Sequence, residues 1–310
     1  MKINNLLINL KNPIDAFCAN PRQIKRIQMA LPDTHIMVTE NKNDFLEKLP
    51  EAEFGLVWTF KSEWYQYAPR LKALFTPAAG NDWMSADPSG RVKTVYGSFH
   101  GRIMRESLLS MILYFNRSVA KSVDDQRNKV WGRNDYSSCV ALFNQKVLII
   151  GCGALGRSMA ELLKAFGARV VGVRQKLTVA EVPNVDRMIG FDRLEEELSV
   201  ADHVVLLLPG GPNTNGIITA KHFRAMKTGA FLYNLGRGSC YRNEDLLAAL
   251  KNGPLAGAGL DVFDEEPLPS TSLLWEQPNV LITPHSSAIS AEYLDLFIQE
   301  WIGFVSLKAT

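Results

Sequence analysis

The stretch KVLIIGCGALGRSMAELLKAFGARVVGV, residues 146–173, constrains the fold more than any other part of the chain. An apolar run from Val147 to Ile150 reads as a buried strand and leads into Gly151-Cys-Gly153-Ala-Leu-Gly156. An amphipathic helix pattern and a second apolar run follow at once. In this order Gly151 permits a tight turn, Gly153 lets the backbone approach a pyrophosphate, and Gly156 lets the helix pack on the strand. Ala154 and Leu155 then open the helix, where backbone N–H groups without intrahelical partners favour an anion. The pattern predicts a dinucleotide site. The alternative is a glycine-rich connection in an α/β fold that binds no cofactor.

The second strand ends in VRQK, with Arg174 and Lys176 where a carboxylate would grip a ribose 2′-hydroxyl. An arginine cannot accept that hydrogen bond. Its planar fork instead matches a phosphate bidentately, with Lys176 adding a point charge. The reading that follows is a 2′-phosphorylated cofactor, NADP(H), with NAD(H) possible; otherwise the two cations form a solvated loop.

The rest of the chain fits this frame. With 310 residues it is long for one core and suits two domains. Apolar runs HIMV, FGLVWTF, LKALFT and VKTVYG alternate with helical stretches PRQIKRIQMAL and NDFLEKL in the first hundred residues, which predicts a parallel sheet with helices on both faces. A continuous helical pattern runs over 101–127, and a turn-rich connection leads to the glycine motif. The net charge of +2 is too small to make nucleic acid or an acidic surface the main partner. Cys18, Cys139, Cys152 and Cys240 have no metal-type spacing and read as reduced thiols, so no metal is expected. The first residues make a poor signal peptide and no apolar run approaches a membrane span, which leaves a cytoplasmic protein as the expectation.

Beyond the glycine motif, VADHVVLLLPGGPNTNGII, GAFLYNLGRGSCYRNEDLLAALKNGPLAGAGLDVFDEEPLP and PNVLITPHSSA occur in that order. Together with residues 146–173 they resemble the D-isomer-specific 2-hydroxyacid dehydrogenase family. The likeness covers nearly the whole chain and is most specific over 146–288. Within the family, the cationic end of the second strand and the short C-terminal segment look most like glyoxylate/hydroxypyruvate reductases.

The resemblance implies a catalytic set of Arg237 in NLGRG, Glu266 in DVFDEEP and His285 in TPHSS. Arg237 would bind the carboxylate and polarise the keto oxygen of a 2-oxo acid. His285 would give a proton to the developing alkoxide, and Glu266 would hold His285 and stabilise the imidazolium. Each residue alone has a structural explanation; the set, in order behind the glycine loop, argues for catalysis. Pro209 and Thr214 would lie along the cofactor, Asp261 would face the nicotinamide carboxamide, and Asn234 would brace the Arg237 loop. In TPAAGND the backbone N–H groups around Ala79 and Gly80 would bind the substrate carboxylate. Ala78 stands at a common glycine position of that loop and Asn81 at a common apolar one, and Gly236 replaces the more usual Ala or Ser. Trp83 and Met84 either line the substrate pocket or simply pack, and His100 reads more readily as a linker histidine than as a site residue.

The fold expected is α/β, with two Rossmann-like or flavodoxin-like doubly wound parallel-sheet domains and a cleft between them. Residues 1–99 plus 287–310 would form the substrate-binding domain and 100–286 the NAD(P)-binding domain, with closure over substrate as the expected motion. The expected partners are a small 2-oxo or 2-hydroxy acid and, through the long helix from Gly101, a second copy in a homodimer; that helix could equally be buried within one subunit. The function implied is NADP(H)-dependent reduction of a glyoxylate- or hydroxypyruvate-type acid to the D-2-hydroxy acid. NAD-dependent oxidation of lactate or phosphoglycerate type, or a non-catalytic nucleotide-sensing corepressor, are the other readings the pattern leaves open.

Overall fold

The computed structural model describes residues 3–80, 83–175 and 182–307. The chain divides into two compact units, Met1–His100 with Ile289–Thr310, and Gly101–Ala288.

The first unit is built on β1 (Asn5–Asn9), β2 (His35–Val38), β3 (Phe54–Val57), β4 (Ala73–Thr76) and β5 (Lys93–Tyr96). All five are parallel, in the order β2-β1-β3-β4-β5. This is the flavodoxin-like arrangement, in which ligands bind beyond the carboxyl ends of the strands. The continuous apolar runs seen in the sequence follow from burial on both faces, since every residue of β3 is buried. Helix α1 (Pro21–Ala30) starts where Asn20 and Gln23 exchange side-chain to backbone hydrogen bonds, each 3.0 Å, with Pro21 pre-set for the first turn. Helix α2 (Lys42–Lys48) is capped by Asn41. A C-terminal helix, Tyr293–Leu307, returns to this unit and buries Tyr293, Leu294, Phe297, Ile298, Trp301 and Val305 along one stripe.

The second unit opens with α3 (Gly101–Asn116) and α4 (Val119–Asn128). Here the structure departs from the single helix expected over 101–127. Ser118 takes a left-handed φ of 50°, and the carbonyl of Asn116 accepts a hydrogen bond from Val140 N–H at 3.1 Å instead of continuing the ladder. The apolar stripe ends at the same place. Helix α3 buries Met104, Leu108, Met111 and Ile112 within its own unit, whereas α4 buries nothing.

The sheet of this unit comprises β6 (Lys146–Ile150), β7 (Arg169–Val173), β8 (Arg187–Ile189), β9 (His203–Leu206), β10 (Ala230–Asn234), β11 (Leu255–Leu260) and β12 (Val280–Ile282). Its order is β12-β11-β10-β9-β6-β7-β8, all parallel. Helices α5 (Ala154–Ala165), α6 (Leu194–Leu198), α7 (Ala220–Ala225) and α8 (Asn243–Asn252) complete it. The alternation along β6 shows how both faces are covered. Val147 and Ile149 join one core with Leu108 of α3 and Leu163 of α5, while Leu148 and Ile150 join the other with Leu198, Phe223 and Leu246. The chain order reverses between β6 and β9, and such a switch point opens a crevice at the carboxyl ends of the two strands. No helix among the described residues is long and apolar enough to cross a membrane.

Candidate active site

At that switch point β6 runs into Gly151, which has a φ of +93°. A Cβ there would come within 2.7 Å of the Leu207 carbonyl, so only glycine fits this approach of the turn to the loop after β9. At Gly153 the nearest atom to a Cβ would be the Gly151 carbonyl, 3.9 Å away, so this face of the turn is open. Gly156 packs against Ile149, whose Cγ2 would lie 3.2 Å from an added Cβ. Helix α5 begins at Ala154, and its first N–H groups point out of the turn without intrahelical carbonyls.

A cavity of about 390 Å³ lies over this turn. Gly151, Gly153, Ala154 and Leu155 form one side and Arg174, Pro209 and Thr214 others. The open face at Gly153 and the free first turn of α5 suit a dinucleotide diphosphate, so the residues present fit the cofactor the motif implies. Thr214 is fixed by its hydroxyl, which donates to the Pro209 carbonyl at 2.6 Å. Arg174 is half-buried at the end of β7, where its Nε donates to the Cys152 carbonyl at 2.5 Å. The guanidinium is thus tied to the glycine turn itself. Lys176 lies outside the described residues. Phe191, Asn213, Ile217 and Gln175 also line the cavity and went unnoticed in the sequence. The Cys152 thiol beneath the turn is pushed up by burial, against the pull of Arg174 and Arg157, and is an inert packing group.

The three residues of the expected catalytic set sit on turns at the carboxyl ends of β10, β11 and β12. His285 Nδ1 is 2.7 Å from Glu266 Oε2, and Glu266 Oε1 accepts from the Phe263 N–H at 2.9 Å. The carboxylate therefore has one oxygen on its own loop and one on the imidazole. A cavity of about 650 Å³, walled by Phe263, Leu268, Trp275 and Pro284, adjoins the pair.

Asp261 is fully buried. Its Oδ1 accepts from the Thr283 hydroxyl at 2.6 Å and from Ser286 N–H at 2.9 Å, and its Oδ2 from Ser287 N–H at 3.1 Å. It braces the turn in which His285 holds a left-handed φ of 49°.

Arg237 follows β10, with Nη1 donating to the Gly236 carbonyl at 2.9 Å. The buried Asn234 braces this turn, accepting from Gly236 N–H at 3.0 Å and donating to the Arg237 carbonyl at 3.1 Å. A Cβ on Gly210 would meet Arg237 Cγ at 3.5 Å, and one on Gly238 would strike the Phe263 carbonyl carbon at 1.9 Å. The Arg237 turn therefore lies between the loop that walls the nucleotide-sized cavity and the loop that carries Glu266.

In the first unit the 77–80 turn follows β4, with Thr76 Oγ1 accepting from Ala78 N–H at 3.3 Å. Ala79 is exposed and Gly80 half-buried. Asn81 lies outside the described residues. Met84 is buried and Trp83 exposed. His100, expected to be a linker histidine, is buried and hydrogen-bonded to Tyr293.

Parallel strand order with a glycine turn at the switch point is the arrangement of a nucleotide-binding α/β protein, here with a hydrogen-bonded Glu-His pair at the carboxyl ends of the same sheet. Residues 109–287 match the D-isomer specific 2-hydroxyacid dehydrogenase NAD binding domain. The chain belongs to that family, whose members are NAD(P)-dependent oxidoreductases. It is 33% identical over 251 residues to glyoxylate/hydroxypyruvate reductase A of Serratia proteamaculans, covering 77% of this chain and 78% of that protein. Its fold matches a D-isomer specific 2-hydroxyacid dehydrogenase family protein from Aeromonas salmonicida with a TM-score of 0.80 and 29% identity, over 98% and 96% of the two chains. It also matches the NADPH-dependent glyoxylate/hydroxypyruvate reductase of Sinorhizobium meliloti, solved with NADP and sulfate, with a TM-score of 0.78 and 25% identity over 99% and 95%.

Proposed function

We propose that the protein reduces a small 2-oxo acid of the glyoxylate or hydroxypyruvate type to the D-2-hydroxy acid, with NADPH as the preferred cofactor. The observation that carries this reading is the 2.7 Å contact between His285 Nδ1 and Glu266 Oε2. It leaves Nε2 as the ring atom that exchanges a proton with substrate. Arg237 binds the carboxylate and draws electron density from the keto oxygen, and the N–H groups of Ala79 and Gly80 take the carboxylate as well. The bound nicotinamide, when present, supplies the hydride for the carbonyl carbon. As the alkoxide forms, His285 gives up its Nε2 proton and Glu266 steadies the imidazolium that preceded transfer.

Gly151, Gly153, Ala154, Leu155 and Gly156 shape the diphosphate site, with Pro209 and Thr214 flanking it. Arg174 supports the choice of NADP(H), with Lys176 as its companion, because a guanidinium anchored beside the glycine turn would meet a 2′-phosphate bidentately. Relatives described as glyoxylate/hydroxypyruvate reductases, one of them NADPH-dependent, support the same substrate and cofactor. Initial rates with NADPH and NADH, each with glyoxylate and hydroxypyruvate, test the reading. Rapid turnover with NADPH is expected; no turnover of either acid with either cofactor would overturn it.

The protein acts as a homodimer in the same reading. Trp131 is 90% exposed, and Val119, Val123 and Val130 are exposed with it on α4 and the segment that follows, a grouping that suits a partner surface. Sedimentation equilibrium giving a single monomeric mass at micromolar concentration would exclude this. The four free thiols are in keeping with a reducing, cytoplasmic setting.

A further inference from the structure

The carboxyl edge of the five-stranded sheet carries an aromatic cluster with two polar atoms buried inside it. Phe17 comes from the segment after β1, Trp58 directly follows β3, Phe99 and His100 follow β5, and Tyr293 is the first residue of the C-terminal helix. Phe17 and Tyr293 have ring centroids 4.4 Å apart, Trp58 stacks on Tyr293 at 5.8 Å, and Phe99 meets it edge-on at 4.8 Å. Phe99 also stacks on His100 at 4.2 Å. Tyr293 and His100 are each only 3% exposed.

Within this apolar setting the Tyr293 hydroxyl donates to the Pro77 carbonyl at 3.0 Å and stands 2.9 Å from His100 Nε2. The proton order follows from the carbonyl, which can only accept. The phenol must donate to Pro77, so it accepts from an Nε2–H of His100. A phenylalanine at 293 would fill the cluster without burying a hydroxyl, and an unpaired hydroxyl there is costly, so the pair is worth keeping only for what the hydroxyl holds. What it holds is the first residue of the 77–80 turn.

We propose that Tyr293, oriented by His100, is a positioning residue that fixes the Pro77 carbonyl and thereby aims the Ala79 and Gly80 N–H groups at the substrate carboxylate. This rests on the reading of that turn as the carboxylate loop of a 2-oxo acid reductase. Thr76 Oγ1 secures the turn from within by accepting Ala78 N–H at 3.3 Å, and Tyr293 secures it from the helix side. The ring has no room to turn, because Phe17, Trp58 and Phe99 border it. A loop whose binding groups are backbone N–H atoms has no side chain to adjust, so its aim depends on such outside anchors.

The test is Tyr293→Phe in the full-length protein, read by steady-state kinetics and by hydrogen–deuterium exchange without substrate. Loss of one buried hydrogen bond predicts a rise of about tenfold in KM for the 2-oxo acid, with KM for NADPH and kcat within about twofold. Exchange in a peptide spanning 73–80 should quicken severalfold while the β6–α5 segment stays as in the wild type. His100→Gln, which can still offer an N–H to the phenol, should keep most of the wild-type KM, whereas His100→Leu should raise it toward that of Tyr293→Phe. Unchanged exchange over 73–80 together with an unchanged KM would overturn the proposal. So would a rise in exchange throughout the first unit with no selective effect on the acid's KM, because Tyr293 would then be a general packing residue. If the wild type turned over no 2-oxo acid while Tyr293→Phe still loosened only 73–80, the anchor would stand and the reductase reading of the loop would fall.

Discussion

Glu266 Oε2 lies 2.7 Å from His285 Nδ1, while the other oxygen of the same carboxylate accepts the Phe263 N–H at 2.9 Å. The carboxylate is therefore fixed to its own loop before it touches the imidazole, and the ring inherits that orientation. Glu266→Gln keeps a hydrogen-bonding side chain of the same shape but removes the negative charge that the proposed proton transfer uses. An oriented proton donor is worth about 10²–10⁴ in rate. We expect kcat for the 2-oxo acid to fall by about 10–100-fold in Glu266→Gln and further in His285→Leu, with NADPH binding by fluorescence unchanged in both. A variant that kept wild-type kcat would remove Glu266 from the proton path.

In the proposed reading cofactor choice turns on Arg174, whose Nε donates to the Cys152 carbonyl. That bond holds the guanidinium beside the glycine turn and engages only Nε, so the proposal assigns the other two nitrogens to a 2′-phosphate. Arg174→Asp should lower kcat/KM for NADPH at least tenfold and leave that for NADH equal or improved. Arg174→Lys should fall between, since a point charge lacks the fork. Equal loss with both cofactors would instead mark Arg174 as a structural support of the turn.

Much of this site was legible because its signals are local in sequence. The glycine turn and the residues around Arg237, Glu266 and His285 are short motifs whose partners lie on the same loop or the next one. Other features depend on distant contacts. Phe191 and Ile217 reach the nucleotide-sized cavity only because β8 and the segment after β9 take their places in the sheet order, which no short motif records. The helix expected over 101–127 breaks because Val140, far along the chain, claims the Asn116 carbonyl. His100 lies at the junction where the sequence put it, but its bond to Tyr293, 193 residues away, is recorded by no motif. The bonds by which Asp261 holds the 283–287 turn likewise join residues more than twenty positions apart and leave no local motif.

Two glycines make a contrasting pair for substitution. At Gly238 an added Cβ would lie 1.9 Å from the Phe263 carbonyl carbon, which is backbone and cannot swing aside. Gly238→Ala must therefore push apart the turns bearing Arg237 and Glu266. It should destabilise the protein by about 1–3 kcal/mol or more in urea titration and depress kcat. At Gly303, inside the C-terminal helix, a Cβ would meet nothing within 4 Å. Gly303→Ala should stabilise by about 0.5–1 kcal/mol through the backbone entropy of the unfolded chain and leave kinetics alone. If Gly238→Ala were as benign as Gly303→Ala, the close approach of the two turns would not be a requirement of the fold.

Acid should weaken the fold in two separate windows. Burial pushes His100 and His203 down to about 4 from an ordinary 6.5. His203 sits between Tyr233 and Gln145, with ring nitrogens 3.1 Å from the tyrosine hydroxyl and 2.9 Å from the glutamine oxygen. Below pH 6.5 the unfolded chain protonates these imidazoles while the folded one keeps them neutral, so the unfolded state binds more protons and stability falls with pH. The loss begins near pH 6.5, runs at up to about 1.4 kcal/mol per pH unit for each histidine, and levels off below about 4. A second loss follows at lower pH from carboxylates. At Asp186 and Asp202 burial acts upward, but the hydrogen bonds from Lys164 and Val170 N–H, and from Lys227 and Lys146 N–H, together hold the groups below the usual 3.8. Their contribution is present above 3.8 and disappears as pH falls through the lower folded values. Urea midpoints should therefore decline from pH 6.5 to 4.5, and the decline should be shallower in His203→Gln, which has nothing to protonate. A wild-type midpoint constant across that range would mean that the two histidines are reached by solvent protons without unfolding.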